Sequence, residues 1–299
     1  MKYRQLLILL FASLQLSFAQ GSDQKEGNMD STSPTKGHPI PLWEGMPRGI
    51  KVDDGFRPTL TPQVLDAEKP LGAVVVVPGG GYQGRAEHEK WPIADHFNRA
   101  GLHAFVLDYR VSPHRDPEPL LDVSRAVRMI RANADAWKVK PDKIAVLGFS
   151  AGGHLTGSLG VFFDRGDATA GDPIDHQSSR PDAIVLCYAV ISSKGHGHQG
   201  SFRHLLGENA SEADLQRMSL EDQVTQDTPP TFLWHTADDP VVPVENSLLF
   251  ASALSAHKVP FELHVYPSGH HGMGIASGED AHVGTWGALC VEWLKGMGW

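Results

Sequence analysis

The middle of the chain alternates between two hydrophobic periods. Runs that are apolar at nearly every position occur at Ala73–Val77, Ala104–Asp108, Lys143–Leu147, Ala183–Tyr188, Thr231–Trp234 and Phe261–Val265. A strand covered on one face alternates, so a run apolar throughout predicts a strand covered on both faces. Between these runs apolar residues recur at three- and four-residue spacing. They predict helices over His88–Ala100, Pro119–Trp137, Ala151–Phe163, Val244–His257 and Ala281–Lys295. In the second of these, Leu121, Val123, Ala126, Val127 and Ile130 form one side and Arg125, Arg128 and Arg131 the other, the pattern of an amphipathic helix. Strand and helix alternating this often predict an α/β fold: a mostly parallel central sheet with helices on both faces. Right-handed crossovers then gather the carboxyl ends of the strands along one edge, where such sheets bind ligands. Ile191 to Pro230 breaks the rhythm with one short helical pattern near Glu212–Met218, and predicts a small insertion over that edge.

The amino terminus has a different pattern. Lys2 and Arg4 precede an apolar stretch, Leu6–Leu10 and Phe11–Leu16, which ends in Ser17-Phe18-Ala19. A basic start, a short apolar core and small residues at the end predict a cleavable signal peptide over residues 1–19 and a secreted or periplasmic protein. Residues 20–38, rich in Gly, Ser, Asp, Lys and Thr, predict a disordered leader, and residues 39–299 a single domain. Cys187 and Cys290, the two cysteines, both lie in apolar settings, which predicts small buried side chains more readily than a bridge. The formal net charge of -9 over 299 residues argues against nucleic acid or an anionic membrane surface as a partner.

One motif carries chemistry at the predicted ligand edge. Gly148-Phe149-Ser150-Ala151-Gly152 joins a predicted strand to a predicted helix. Gly-x-Ser-x-Gly in that context predicts a nucleophile elbow: a sharp turn with small neighbours lifts the Ser150 hydroxyl off the sheet. The same turn aims the Ala151 N–H, at a helix amino terminus, toward developing negative charge. Pro78-Gly79-Gly80-Gly81-Tyr82 follows directly on Ala73–Val77. A glycine-rich loop in this place supplies a second oxyanion donor in α/β-hydrolases. Gly80 and Gly81 are the candidates, with the choice between them open. No Lys-Ser/Thr follows the loop, so it is not a phosphate-binding loop.

A serine hydroxyl needs a base, and the base an orienting carboxylate. In this fold the chain order is serine, acid, histidine. Pro267-Ser268-Gly269-His270-His271-Gly272 follows the last predicted strand and offers two imidazoles. Gly272 leaves the ring of His271 free to reach across, so His271 is the choice and His270 the alternative. His235-Thr236-Ala237-Asp238-Asp239-Pro240-Val241-Val242-Pro243 follows the preceding strand. Adjacent carboxylates cannot point the same way; Asp239 is the chosen acid, and Asp238 fits a turn.

These segments resemble those of bacterial α/β-hydrolases of the acetyl esterase group, xylanase-like or feruloyl-esterase-like. The likeness rests on Pro78 to Tyr82, Gly148 to Leu155, His235 to Pro243 and Gly269 to Gly272, and extends over about residues 39–298. Leu205-Leu206-Gly207 and Thr228-Pro229-Pro230 also look like family segments. The resemblance implies a carboxylate at Asp239 and a histidine at His271. It implies removal of acetyl or other short acyl groups from xylan, xylo-oligosaccharides or other decorated sugars. Pro78 stands where the lipase-like branch carries His, which separates the chain from that branch. Trp43, Tyr82, Trp91 and Tyr109 are candidates to stack on sugar rings, although aromatic residues are more often buried.

No cofactor and no metal are expected. Gly195-His196-Gly197-His198 and His204 lack a carboxylate or cysteine at ligand spacing and predict a polar loop. His154 predicts a packed histidine, and Arg110 a structural ion pair. The alternatives within the fold are a peptidase- or lipase-type hydrolase, or a non-catalytic binding module.

Overall fold

The computed structural model describes residues 35–276, 278 and 280–299. The predicted signal peptide and most of the predicted leader lie outside them. Six parallel strands form the centre of the sheet: β4 Leu71–Val77, β5 His103–Asp108, β6 Val139–Phe149, β7 Ala183–Cys187, β8 Thr231–Thr236 and β9 Phe261–Tyr266. Their spatial order is β5-β4-β6-β7-β8-β9. Both faces of the central strands are covered, which is why their sequence runs are continuously apolar. Val75, Val77 and Val146 point to one face. There they pack with α2 Glu118–Ala132 and α3 Ser150–Phe162. Val74, Val76, Ala145 and Leu147 point to the other, against α1 Trp91–Arg99 and α7 Thr285–Gly296. The helix α6 Glu245–Ala256 covers Ile184, Leu186 and Leu233 through Phe250 and Leu254.

Three strands were not anticipated. β3 Thr59–Val64 runs antiparallel to β5, and β1 Thr35–Lys36 and β2 Ile40–Pro41 pair with β3. Pro62 sits in the middle of β3, and a proline inside a short run argues against a strand. Its carbonyl still accepts the Gly37 N–H. Among the described residues, pairing into the sheet is present from Thr35, before the expected domain boundary at residue 39.

The arginine side of α2 also departs from expectation. It is not turned to solvent. Arg125 is buried and donates to the Leu42 carbonyl and to Asp172 and Asp175. Arg128 pairs with Asp164, and Arg131 with Asp182 at 3.0 Å. The acidic segment between α3 and β7 supplies these carboxylates, a distant partner that helical periodicity does not reveal. Residues 191–230 form α4 Gln199–Leu206 and α5 Glu212–Arg217 rather than one helix. Cys187 and Cys290 are buried free thiols in one apolar cluster. Among the described residues, no helix is long and apolar enough to cross a membrane.

Candidate active site

The elbow forms because β6 runs into α3 without an intervening loop. Ser150 sits at the junction with φ +51°, a left-handed conformation that costs a non-glycine residue strain and is typical of functional turns. Its neighbours must be glycine. A Cβ on Gly148 would lie 2.2 Å from the Gly152 carbonyl oxygen, and one on Gly152 would lie 2.4 Å from the carbonyl oxygens of Val77 and Pro78. The second contact presses the elbow directly against the end of β4, and therefore against the glycine-rich loop.

Three strand ends bring the remaining side chains together. Ser150 Oγ lies 2.8 Å from His271 Nε2, and His271 Nδ1 lies 2.7 Å from Asp239 Oδ2. A carboxylate only accepts, so the proton between them sits on Nδ1 and the Nε2 lone pair faces the serine hydroxyl. Asp239 Oδ1 accepts the Val241 and Val242 amides at 2.8 and 2.9 Å. His235 stands 3.6 Å from Oδ2. Burial works against the charged form of Asp239. The nearby His235 ring and hydrogen bonds from His271 and the Val242 amide outweigh it and hold the carboxyl well below the usual range. The two alternatives lie elsewhere. Asp238 accepts from Ser268 Oγ and the Gly269 N–H. His270 is exposed, with Nδ1 at its neighbour's carbonyl.

The glycine-rich loop is tied down at almost every polar group. The Pro78 carbonyl accepts the Tyr109 hydroxyl, and that of Gly80 accepts the Gln83 and Gly84 amides. The Gly81 carbonyl accepts from His204 Nδ1 at 2.8 Å, and the Tyr82 carbonyl accepts the Ser112 amide. The Gly79 N–H donates to Glu89 at 2.7 Å. The amides of Gly80 and Gly81 donate to no described residue. Gly80 and Gly81 adopt φ +132° and +62°, values that favour glycine. The loop meets the elbow at Gly79, where an added Cβ would lie 3.0 Å from the Cβ of Ser150. Ala151 follows Ser150 in the first turn of α3 and is buried.

Glu89 escaped the sequence reading. It lies in a 3-10 turn, Glu87–Glu89, and its second oxygen accepts the Tyr188 hydroxyl at 2.7 Å. Tyr188 follows β7, adopts φ +36°, and meets the His271 ring edge-on with centroids 4.9 Å apart. A charged residue at the start of a predicted helix, flanked by Glu87, His88 and Lys90, carries no sign of such contacts or of burial.

A family model described as BD-FAE matches residues 61–254. The chain belongs to the BD-FAE family. Among curated relatives, endo-1,4-beta-xylanase B of Butyrivibrio fibrisolvens is 41% identical over 243 residues, 80% of this chain and 38% of that protein. An acetylxylan esterase of Xylanibacter ruminicola is 32% identical over 239 residues, 77% of this chain and 45% of that protein. The chain thus spans less than half the length of either. Among solved structures, the acetyl ester-xyloside bifunctional hydrolase from Caldicellulosiruptor lactoaceticus superposes with a TM-score of 0.85 at 49% identity. That match covers 88% of this chain and 97% of the other. An α/β-hydrolase from a Medee basin deep-sea metagenome matches at 28% identity with a TM-score of 0.66, over 89% and 98% of the two chains.

In this BD-FAE chain several other candidates have structural duties. Tyr82 and Tyr109 are buried, so neither offers a face to a sugar. Trp43 lies beneath the Arg48 and Arg125 guanidinium groups and donates to Asp122. Trp91 packs partly buried against the core at the start of α1. His154 is buried between the Tyr82 hydroxyl and the Met218 carbonyl, and burial pushes its pKa down to about 4, so it is neutral. Arg110 is buried among Asp122 and Glu118. His198 caps α4 by accepting the Ser201 N–H, while His196 stands 3.9 Å from Glu245. Among the described residues no group of three or more His, Cys, Asp or Glu is placed to hold a metal.

Proposed function

We propose that the protein is a secreted serine esterase that removes acetyl or other short acyl groups from carbohydrates such as acetylated xylan or xylo-oligosaccharides. One observation carries the reading: Ser150, His271 and Asp239 form a chain of hydrogen bonds at an elbow packed against the glycine-rich loop, whose Gly80 and Gly81 amides donate to no described residue. Ser150 attacks the ester carbonyl as His271 Nε2 takes its proton. The tetrahedral oxyanion is held by the Ala151 amide and the Gly80–Gly81 pair, donors already oriented before charge develops. His271 returns the proton to the departing sugar oxygen, and a water repeats the sequence on the acyl-serine. Asp239 keeps His271 in the reactive tautomer and stabilises its cation. The names of the relatives support a carbohydrate ester as substrate, and the basic and apolar amino terminus supports export.

Two relatives bear names that include cleavage of a xylan or xyloside. Hydrolysis of a glycosidic bond uses a pair of carboxyl groups about 5 to 9.5 Å apart across the bond. Near Ser150 the buried carboxylates are Asp239 and Glu89, and both oxygens of each are engaged with protein donors. This favours acyl transfer over glycoside cleavage for this site. The test is acetate release from acetylated xylan and xylo-oligosaccharides, alongside p-nitrophenyl acetate. Ser150→Ala is expected to keep its unfolding temperature and to lose turnover by about 10⁴-fold or more. Turnover retained in that variant refutes the reading, and activity confined to long-chain esters refutes the carbohydrate substrate.

A further inference from the structure

Glu89 lies beneath the reaction centre rather than in it. Its residue is 2% exposed, and its two oxygens face two different parts of the machinery. Oε2 accepts the Gly79 N–H, the amide just before the pair assigned to the oxyanion. Oε1 accepts the Tyr188 hydroxyl. The same phenolic oxygen accepts the Gly274 N–H at 2.9 Å, three residues beyond His271. The ring of Tyr188 packs edge-on against the imidazole of His271. The neighbouring His88 ring makes a second tie from this turn, reaching the Gly272 carbonyl at 2.8 Å. The oxyanion loop and the histidine loop come from opposite ends of the chain, and they meet at this carboxylate.

We propose that Glu89 is a positioning residue for the esterase reaction: one carboxylate, shared between Gly79 and Tyr188, holds the oxyanion donors and the His271 loop in a common register. The proposal rests on the serine-esterase reading. A carboxylate is required because both of its partners are donors, and only an ionised carboxyl accepts at each oxygen without demanding a proton in return. A glutamine offers one acceptor and one donor: with its oxygen on the Gly79 N–H, its NH2 meets the Tyr188 oxygen, which already accepts from Gly274, and the phenol proton loses its acceptor. An apolar residue would satisfy the burial but leave the Gly79 amide without a partner, and a buried unmade hydrogen bond is costly. Gly79 and Tyr188 do not touch substrate in this scheme. Their displacement moves the groups that act in the transition state and leaves ground-state binding alone. The signature is therefore a fall in kcat at nearly constant KM.

The test compares Glu89→Gln and Tyr188→Phe with the wild type on p-nitrophenyl acetate, with thermal unfolding followed in parallel. Each is expected to lose about 10- to 100-fold in kcat with KM within about threefold. The double variant is expected to stay within about threefold of the worse single variant, because both changes cut one connection. Tyr188→Phe removes a single oxygen and keeps the ring packing, so it decides the matter alone if Glu89→Gln fails to fold. A kcat within about twofold of wild type in folded Tyr188→Phe or Glu89→Gln overturns the proposal, even where stability falls, as do additive losses in the double variant. Ser150→Ala in the same series separates the failures. Turnover in that variant sinks the esterase reading itself, whereas a silent Ser150→Ala beside unimpaired Glu89 and Tyr188 variants sinks only the positioning role.

Discussion

Asp239 and Glu89 are both buried carboxylates within electrostatic reach of His271, yet their surroundings push them in opposite directions. Burial disfavours the charge of each. For Asp239 the loop after β8 turns two consecutive amides onto one oxygen, and two imidazoles flank the other. Its carboxyl is held well below the usual range. Glu89 lies in a 3-10 turn that supplies no amide of its own. Burial dominates, the Tyr188 hydroxyl and the Gly79 amide offset it only in part, and its pKa is raised. The difference lies in how many donors converge and whether they include a group that becomes cationic. In the proposed reaction, one site stabilises charge that appears on His271. The other holds charge at a cost in order to fix geometry.

The comparison is broken most decisively at Asp239. Asp239→Asn presents His271 with an amide that can donate to Nδ1 and favour the wrong tautomer, so kcat on p-nitrophenyl acetate is expected to fall by about 10⁴-fold. A loss under about tenfold means that the two carboxylates do not differ in role. The loss expected at Glu89, already described, is smaller because no reacting atom touches it.

Stability against pH sharpens the contrast further, because the two shifts have opposite signs. Asp239, with a lowered native pKa, contributes stability that is present above its unfolded value of about 3.9 and lost as pH falls through the native one. Glu89, with a raised native pKa, contributes stability that is present below its unfolded value of about 4.3 and lost as pH rises through the native one. Relative to wild type, the unfolding temperature of Asp239→Asn is therefore expected to drop as pH climbs from about 3 to about 5. That of Glu89→Gln is expected to rise between acid and neutral pH. Calorimetry of the three proteins across this range checks both slopes; slopes of the same sign contradict the contrast.

The smallest effect is expected beside the largest. Asp238 is exposed, and it holds the Ser268 hydroxyl and Gly269 amide at the base of the histidine loop. Asp238→Asn keeps one acceptor for those donors, so kcat is expected within about threefold of wild type. A loss comparable to that of Asp239→Asn would mean that adjacency in sequence, rather than the direction of each side chain, governs this turn.

The sequence alone made much of this legible where one residue type answers a local demand. Valine and isoleucine runs such as Ala73–Val77 announce strands covered on both faces, and the glycines of Gly148-Phe149-Ser150-Ala151-Gly152 announce a turn too tight for any Cβ. The order of Ser150, the acid and His271 along the chain then follows from the loops that close successive strands. Less legible were elements whose partner is distant. Pro62 hides β3 because a short run with proline reads as a loop until its neighbours are known. Arg125 and Arg128 read as an outer face until the acidic segment from Asp164 to Asp182 is placed over them. Tyr82 and Tyr109 look like sugar platforms until the core closes around them.

What the sequence determined by itself was the fold class, the elbow and the candidates for nucleophile, base and acid, because hydrophobic period and steric need for glycine act over a few neighbouring residues. The choice of Asp239 over Asp238 and of His271 over His270 was also made from the sequence; what only the tertiary structure decided was that the Gly80 and Gly81 amides donate to no described residue, and that Glu89 and Tyr188 join the loops. Those outcomes depend on hydrogen bonds between groups up to 184 positions apart, as between His88 and Gly272. Directions in space of that kind are set by packing, which no local pattern encodes.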